Sequence, residues 1–455
     1  MRMKFNKSRQ LLLVSAASLL AAGCIAACGT ATVDFVFVAS AKGAGTNNWG
    51  EIDVFEINGG SGYMRQIPTS PFPSQGRTPV AEAVATDYMN LYVVNQADND
   101  IVQFMIGSDG KLYPQNTENT PGTYPLALAV NATNLFVLDT YQGLSNCSNA
   151  SPCSGSVGVF QLLPATTDAN PTPSGALGPI VANGSLNYWP LCLSGYVSST
   201  NSTQCAAGST DVLVPTAMNI LASGAYIYVT AFDWTAAGGP AKEGNYEING
   251  TVGICNLTPN VYSGPNGYIF GFTVGSTGAL TPLNNGVPVA AGTLPCGITS
   301  DTTAMGTYVY VTDAKNGNVL SYSVSSGALT PLGGPIPAGN QPTAIVADPT
   351  LPYLYVANTT DGTVSAYSIS SGVLSNIGTY NTEGQEPVAM GIDPGTKHYL
   401  FTVNFLGDGT GVNGKVSDFY LSPTAGTLIN AQHSPYTSNA EVTAVAAIPH
   451  DRTQK

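Results

Sequence analysis

The chain has 455 residues with 51 glycines and 31 prolines, only 9% of its residues are charged, and its formal net charge is −13. This composition is typical of a globular chain that turns often and whose strands carry uncharged Thr, Ser and Asn. It argues against nucleic-acid binding, because a phosphate backbone is bound by clustered Lys and Arg. Beyond Arg9, arginine occurs only at Arg65, Arg77 and Arg452.

The N-terminus has the pattern of an export signal. Four basic residues precede the apolar stretch LLLVSAASLLAA, which is too short for a membrane span. AAGC ends at Cys24 and IAAC ends at Cys28, and both resemble the lipobox of bacterial lipoproteins, whose cysteine receives diacylglycerol. IAAC is the closer match. We therefore predict a signal peptide at 1–27, lipidation of Cys28 and a linker at 28–32, with Cys24 as the alternative site and an ordinary cleaved signal as the competing interpretation.

A short apolar run with a central aromatic residue then recurs seven times. The last two intervals between these aromatic residues are 45 and 46 residues, the length of a four-stranded propeller blade. The surrounding segments alternate apolar and polar residues at period two and are separated by Gly-containing turns, which favours strands over helices. We predict an all-β, seven-bladed β-propeller of four-stranded antiparallel blades at 33–449, followed by a tail at 450–455. Blades 1 to 7 are numbered by their aromatic residues, which are Phe37, Tyr92, Phe136, Tyr228, Tyr310, Tyr355 and Phe401.

The two ends of this repeat predict how the ring closes. The strand around Phe37 corresponds to the second strand of later blades, and Val442–Pro449 corresponds to an innermost first strand. Pairing of these N- and C-terminal strands would complete blade 1 and remove two exposed sheet edges.

Three long insertions interrupt the regular repeat, at 141–155, 163–214 and 231–266. Strand order places all three on one face of the predicted ring, where second-to-third-strand and blade-to-blade connections emerge. Long loops on a rigid scaffold often carry binding or catalysis, although they can also be surface elaboration.

The cysteine count favours disulfides. If Cys28 is lipidated, six cysteines remain, an even number in an exported chain. Zinc is the weaker alternative, because there is no CxxC motif and the three histidines are distant in sequence. Sequence permits fifteen connectivities. The simplest is nearest-neighbour pairing, which gives Cys147 with Cys153, Cys192 with Cys205, and Cys255 with Cys296.

The innermost strands share a proline at their start in six blades, with Glu441 at that position in the seventh. Proline suits a strand start, where no ladder donor is lost. Side chains beside these prolines should surround the channel mouth. A carboxylate there can act as a base and a guanidinium can polarise a carbonyl, although a mutual ion pair is the simpler interpretation. The catalytic candidates are Arg77, Glu386 and Glu441, and the ligand-binding candidates are Thr78, Tyr124 and Gln341.

Two acidic segments offer oxygen ligands of the kind that calcium uses. They are Asp98, Asn99 and Asp100 in QADNDIV, and Asp408 in GDGTG. Both also fit ordinary turns. We expect no metal and no other cofactor, with calcium as the alternative.

The strands YVYVTD and LYVAN and the segment QPTAIVADP resemble the YVTN-type β-propellers and the lactonase family. That family includes the propeller-type 6-phosphogluconolactonases and is also called the cycloisomerase 2 family. The resemblance extends over the predicted mature chain and is greatest in blades 5 and 6. It implies a seven-bladed propeller and raises lactone hydrolysis as an activity.

Two hypotheses of function follow. The first is a lipid-anchored scaffold of the bacterial cell envelope, periplasmic or at the cell surface, whose disulfide-stapled face binds an envelope glycan, peptide or protein. The second is an exported lactonase-like hydrolase that acts on a small lactone at the channel mouth. After removal of the signal, 10 basic and 27 acidic residues leave a net charge of −17. Membrane contact should therefore come from the N-terminal lipid and not from a basic surface.

Overall fold

The computed structural model describes residues 32–144, 147, 153–166, 174–199, 202–205, 211–235, 255, 264–301, 307–395, 399–407, 413–439 and 441–450. The predicted signal, linker and lipidation sites Cys24 and Cys28 lie outside the described residues, as does Asp408.

The described strands form seven blades, which follow one another in chain order. Blade 1 has β1 (Thr32–Ala44), β2 (Trp49–Asn58), β3 (Met64–Gln66) and β4 (Phe72–Pro73). Blade 2 has β5 (Pro79–Val84), β6 (Asn90–Asn95), β7 (Asp100–Ile106) and β8 (Leu112–Asn119). Blade 3 has β9 (Thr123–Val130), β10 (Asn134–Tyr141), β11 (Ser156–Leu163), β12 (Ala176–Ile180) and β13 (Trp189–Pro190). A hairpin of β14 (Tyr196–Ser199) and β15 (Ser202–Cys205) precedes blade 4.

The second half of the ring repeats this pattern. Blade 4 has β16 (Leu213–Ile220), β17 (Tyr226–Asp233), β18 (Gly267–Val274), β19 (Leu280–Pro282), a 3-10 turn at Asn284–Gly286 and β20 (Val289–Ala290). Blade 5 has β21 (Pro295–Asp301), β22 (Thr307–Asp313), β23 (Asn318–Ser325), β24 (Ala328–Pro331) and β25 (Ile336–Pro337). Blade 6 has β26 (Pro342–Ala347), β27 (Tyr353–Asn358), β28 (Thr363–Ser370) and β29 (Val373–Asn381). Blade 7 has β30 (Gln385–Ile392), β31 (Tyr399–Gly407), β32 (Gly414–Leu421), β33 (Leu428–Asn430) and β34 (Tyr436–Ser438), and β35 (Val442–Pro449) follows it.

Each blade is an antiparallel sheet whose strands follow chain order from the inside outwards. The exception is blade 1, where the last strand of the chain, β35, pairs with β1 in the innermost position. The predicted seven-bladed propeller and its closure by the terminal strands are therefore confirmed. No described helix is long and apolar enough to span a membrane.

The recurring aromatic residues lie between blades, and all seven are fully buried. Several tyrosines among them also donate a hydrogen bond to a turn of the next blade, for example from the Tyr92 hydroxyl to the Gly175 carbonyl at 2.6 Å and from Tyr228 to Gly327 at 2.8 Å. Both glycines have φ near +80°, a conformation that side chains rarely adopt. The aromatic repeat and the Gly-containing turns thus form a single structural device that joins neighbouring blades.

The strand order defines two faces of the ring. The looped face carries the second-to-third-strand connections and the blade-to-blade connections, and the turn face carries the others. The predicted position of 163–214 on the looped face is wrong for its first part, because β12 divides this segment. β11 ends at Leu163 and β12 follows as the next strand outwards, so the step from the third strand of blade 3 to the fourth is made on the turn face. The segments 141–155 and 231–266 follow the second strands of blades 3 and 4, which end at the looped face.

Candidate functional site

The innermost strands begin at the mouth of the channel on the looped face, and in most blades the residue before the proline position has an unusual backbone. Five of these seven residues have φ between 55° and 60°, in the left-handed region. They are Thr78, Tyr124, Gln341, Glu386 and Glu441. A non-glycine residue in this region costs about 1–2 kcal/mol, so the surrounding fold must impose it. The cause is a shift of strand register directly after this position, as between Pro79 and Ala81.

Glu441 lies one position earlier in the repeat than predicted. Val442 pairs with Ser40 of β1 in the same register in which Pro79 pairs with Asn95 of β6. Val442 therefore occupies the proline position, and Glu441 precedes it. The misplacement arose because this strand lacks the proline that marks the other six.

The mouth is apolar on the side of blades 4 and 5. There the residues before the prolines are Val214 and Leu294, which are 1% and 3% exposed. They pack in one cluster with Phe232, Trp234 and the cysteines Cys255 and Cys296. This side of the mouth is filled by apolar side chains.

The structure contains the three disulfides that nearest-neighbour pairing predicts, Cys147–Cys153, Cys192–Cys205 and Cys255–Cys296. The last one fixes Cys255, in the insertion of blade 4, to the first strand of blade 5. The Cys255 carbonyl accepts a hydrogen bond of 2.7 Å from Nε2 of Gln341, on blade 6. Cys255 therefore contacts both blade 5 and blade 6 at the channel mouth.

The side of blades 6 and 7 is polar and contains a cavity of about 730 Å³. Two predicted site residues line it together, Gln341 and Glu386. The other charged residues in its wall are Asp361, Glu383 and Lys415. Sequence reasoning missed these three because Asp361 and Glu383 follow strands of ordinary appearance and Lys415 lies at the start of one, β32. The position of Asp361 and Glu383 in connections of the looped face, near Glu386, is the signal that would have identified those two.

Glu386 differs from the other acids of this cavity in its surroundings. Its Oε2 atom is buried without a hydrogen-bond partner in the described structure, and burial raises the pKa of the carboxyl above its usual value. Asp361, by contrast, accepts two hydrogen bonds from Asn340, from the backbone nitrogen at 2.7 Å and the side-chain amide at 2.8 Å. Glu383 accepts one from the amide of Asn430 at 2.9 Å. Glu386 is thus the carboxyl of the cavity best suited to exchange a proton.

Arg77 is placed apart from this cavity, on blade 2. Its side chain is half exposed and forms an ion pair with Asp98, whose second oxygen accepts a hydrogen bond of 2.7 Å from the Arg77 backbone nitrogen. This interaction holds the pKa of Asp98 below its usual value, against the opposing effect of desolvation. The sequence predicted an ion pair at the mouth, and the structure gives Asp98 as the partner in place of Glu386 or Glu441.

The remaining mouth candidates do not line the cavity of blades 6 and 7. The Tyr124 ring is 42% exposed and packs edge-on against Tyr141. The carbonyls of Thr78 and Glu441 accept hydrogen bonds of 2.9 Å from Gln96 and Ala41, which are backbone contacts of the strand start. These three residues therefore do not form a shared binding site with Gln341 and Glu386.

The first calcium candidate has its side chains in other hydrogen bonds. Besides the Asp98 ion pair, Oδ1 of Asn99 accepts a hydrogen bond of 2.6 Å from the Tyr124 backbone, and Oδ1 of Asp100 accepts one of 2.8 Å from Asn95. Across the described ranges, no group of three or more His, Cys, Asp or Glu side chains is arranged to hold a metal ion.

A second cavity, of about 470 Å³, lies on the looped face of blade 3. Cys153 and Cys205 contribute to its wall, so two of the disulfides border it. Gln142, Gln204 and Asp211 supply its polar groups.

Comparison with known proteins connects this geometry to a family. Residues 263–443 match the family described as lactonase, 7-bladed beta-propeller. No curated protein matches the chain. Solved structures share the fold, including a candidate 6-phosphogluconolactonase from Bacteroides fragilis with a TM-score of 0.59 and 16% identity, which covers 92% of this chain and 99% of its own. A periplasmic gluconolactonase from Pseudomonas aeruginosa has a TM-score of 0.55 and 17% identity, covering 91% of this chain and 99% of its own. The predicted resemblance to propeller-type lactonases is confirmed.

Proposed function

From the premise that residues 263–443 match the lactonase family, we propose that this chain is an exported lactonase-like hydrolase whose reacting site is the cavity between blades 6 and 7. The observation that carries the proposal is the carboxyl of Glu386. It lies in the wall of a 730 Å³ cavity at the channel mouth, with one oxygen buried and unpartnered.

The chemistry assigned to Glu386 is that of a general base. Its carboxylate takes a proton from water, and the water oxygen forms a bond to the lactone carbonyl carbon. When the ring C–O bond breaks, the protonated Glu386 returns the proton to the leaving oxygen, which gives the open-chain hydroxy acid. A carboxyl pKa raised by burial suits both steps, because proton transfer is most efficient when the pKa lies closer to the working pH.

Lys415 is the cation among the described residues of the cavity wall, and none of the described ion pairs includes it. We assign it to the negative charge that develops on the carbonyl oxygen as water attacks. Gln341 is a positioning residue, because both ends of its amide are already engaged, Nε2 with Cys255 and Oε1 with Thr360. Arg77 and Glu441, which lie outside the cavity, have no assigned role in this reaction.

The test is the opening rate of a panel of lactones, followed in a pH-stat by the acid released and corrected for spontaneous hydrolysis. Glu386→Gln preserves shape and removes the base, so we expect kcat/KM to fall about 100-fold or more. Glu441→Gln is the matched control, since it removes the same group from a mouth position outside the cavity, and it should retain activity. Equal losses in the two variants, or a wild-type chain that opens no lactone, would refute the proposal.

We further propose that the protein works outside the cytoplasm, held in the envelope by a lipid on Cys28. The three disulfides support an oxidising compartment, and one structural neighbour is a periplasmic gluconolactonase. The lipobox pattern IAAC supports the anchor. Detergent phase partitioning of the protein from intact cells tests this, and recovery of the protein in the aqueous phase would contradict it.

A second candidate function is capture of an envelope glycan, peptide or protein on the looped face. The cavity of blade 3 favours it, since two disulfides border the cavity and hold its wall in place. Combined replacement of Gln142 and Gln204 by Ala should then abolish partner capture and leave lactone opening unchanged, whereas Glu386→Gln should do the reverse. Partner capture that survives the double replacement would exclude this cavity as the binding site.

A further inference from the structure

The charges of the cavity between blades 6 and 7 bear on the substrate, and this step rests on the function proposed for that cavity. Among the described residues that line it are three carboxyl groups and one ammonium group, those of Asp361, Glu383, Glu386 and Lys415. Even with Glu386 protonated, the formal charges of the wall are two negative and one positive. An anionic substrate would therefore enter against a net repulsion.

The described guanidinium groups that could offset this repulsion are engaged elsewhere. Both described arginines form ion pairs, Arg65 with Glu56 on blade 1 and Arg77 with Asp98 on blade 2. Neither lines the cavity. Phosphate groups are bound in proteins by guanidinium groups, by clustered ammonium groups or by helix N-termini. The described part of this cavity wall has no guanidinium group and one ammonium group, that of Lys415.

The same carboxylates suit a neutral substrate that carries hydroxyl groups. An ionised carboxylate has about four acceptor sites on its two oxygens, and it accepts hydrogen bonds but donates none. Asp361 uses one site on each oxygen for Asn340, and Glu383 uses one site of Oε1 for Asn430. Both carboxylates therefore can still accept hydrogen bonds from sugar hydroxyls. A phosphate dianion has no hydrogen to donate and cannot bind them in this way.

We propose that Asp361 and Glu383 are specificity-determining residues that select neutral, polyhydroxylated lactones and reject lactones bearing a phosphate or carboxylate group. They accept hydrogen bonds from the substrate hydroxyls and repel anionic substituents. The reaction itself remains with Glu386, so these two residues set which lactone enters the cavity.

The experiment compares kcat/KM for D-gluconolactone and for its 6-phosphate in the wild type and in the double variant Asp361→Asn, Glu383→Gln. Glu383→Gln keeps an oxygen for the hydrogen bond from Asn430, and Asp361→Asn keeps an oxygen for one of the two hydrogen bonds from Asn340. The wild type should prefer the neutral lactone. In the double variant kcat/KM for the phosphorylated lactone should rise about 10- to 100-fold, because two charge repulsions at cavity distances are removed, while kcat/KM for the neutral lactone falls.

The matched control is the double variant Asp109→Asn, Glu56→Gln, which changes net charge equally at exposed ion pairs outside the cavity. Its ratio of the two kcat/KM values should stay at the wild-type value. A wild type that prefers the phosphorylated lactone, or an unchanged ratio in the cavity variant, would overturn the inference and leave lactone hydrolysis intact.

Failure of the proposed function would look different, with neither lactone opened by the wild type. The selectivity is then measured as binding in an NMR titration. The probes are glucitol and glucitol 6-phosphate, which have no lactone to hydrolyse. Tighter binding of glucitol than of its phosphate, with the order reversed in the cavity variant, supports the inference. Tighter binding of the phosphate by the wild type contradicts it.

Discussion

Closure of the ring by β35 predicts a large effect from a single small substitution. The Ile448 side chain is fully buried in the cluster between blades 1 and 2 and lies on the strand that pairs with β1. Replacing a buried isoleucine with alanine typically costs about 2–5 kcal/mol, from lost apolar contact and the cavity left behind. Ile429→Ala is the matched control, because this isoleucine is 59% exposed and the same change there should cost less than about 0.5 kcal/mol.

The expected shift in melting temperature follows from the size of the domain. An unfolding entropy of about 2.1 cal/mol/K per residue, over about 420 residues, makes 1 kcal/mol equivalent to about 1 °C. Thermal unfolding followed by circular dichroism should therefore show a loss of about 2–5 °C for Ile448→Ala and under about 1 °C for Ile429→Ala. Deletion of all residues after Glu441 should destabilise every blade. Equal melting temperatures for the two variants, or an unchanged melting curve after the deletion, would refute closure by the terminal strand.

Three further predictions concern buried acids and the anchor. Both carboxylate oxygens of Glu82 are buried without a hydrogen-bond partner in the described structure, and the other blades have Leu, Met, Ile or Val at the equivalent position. Glu82→Leu should therefore raise the free energy of unfolding, measured with denaturant, by about 1–3 kcal/mol. A less stable variant would contradict this. Burial raises the pKa of Asp139 to about 8, well above its value in the unfolded chain. The folded state therefore holds the proton more tightly, and the free energy of unfolding should fall as pH rises from about 4 to about 8. Asp139→Asn should flatten this dependence of stability on pH in denaturant titrations at several pH values, and an unaltered dependence would count against it. Cys28→Ser should remove a radiolabelled lipid from the protein whereas Cys24→Ser should not, and the opposite result would assign the anchor to Cys24.

Sequence patterns predicted the fold well because the repeat is visible in the residues that build it. The aromatic at the centre of each second strand, such as Tyr92, marks a position that must be buried between blades. The glycine that ends each turn, such as Gly175, marks a positive φ. The register of β35 was predicted one residue off at Glu441, because β35 lacks the proline that marks the other first strands.

The candidate site was less predictable, because it depends on contacts between distant segments. The sequence pointed to Glu386 and Gln341 from their position before a proline, and the structure places both at one cavity. It gave no indication that Lys415, on the third strand of blade 7, lines the same cavity. Arg77 looked available for a substrate, but its partner Asp98 is 21 residues away, and this contact forms only when two connections of blade 2 meet at the mouth.

The most direct measurement is a crystal structure of the mature protein with a sugar lactam, a hydrolysis-resistant analogue of a neutral lactone. We expect the lactam in the cavity between blades 6 and 7, with its carbonyl carbon facing the Glu386 carboxylate through one water molecule and its carbonyl oxygen near Lys415. A lactam bound in the cavity of blade 3, or a cavity between blades 6 and 7 that stays empty at saturating lactam, would contradict the proposed site.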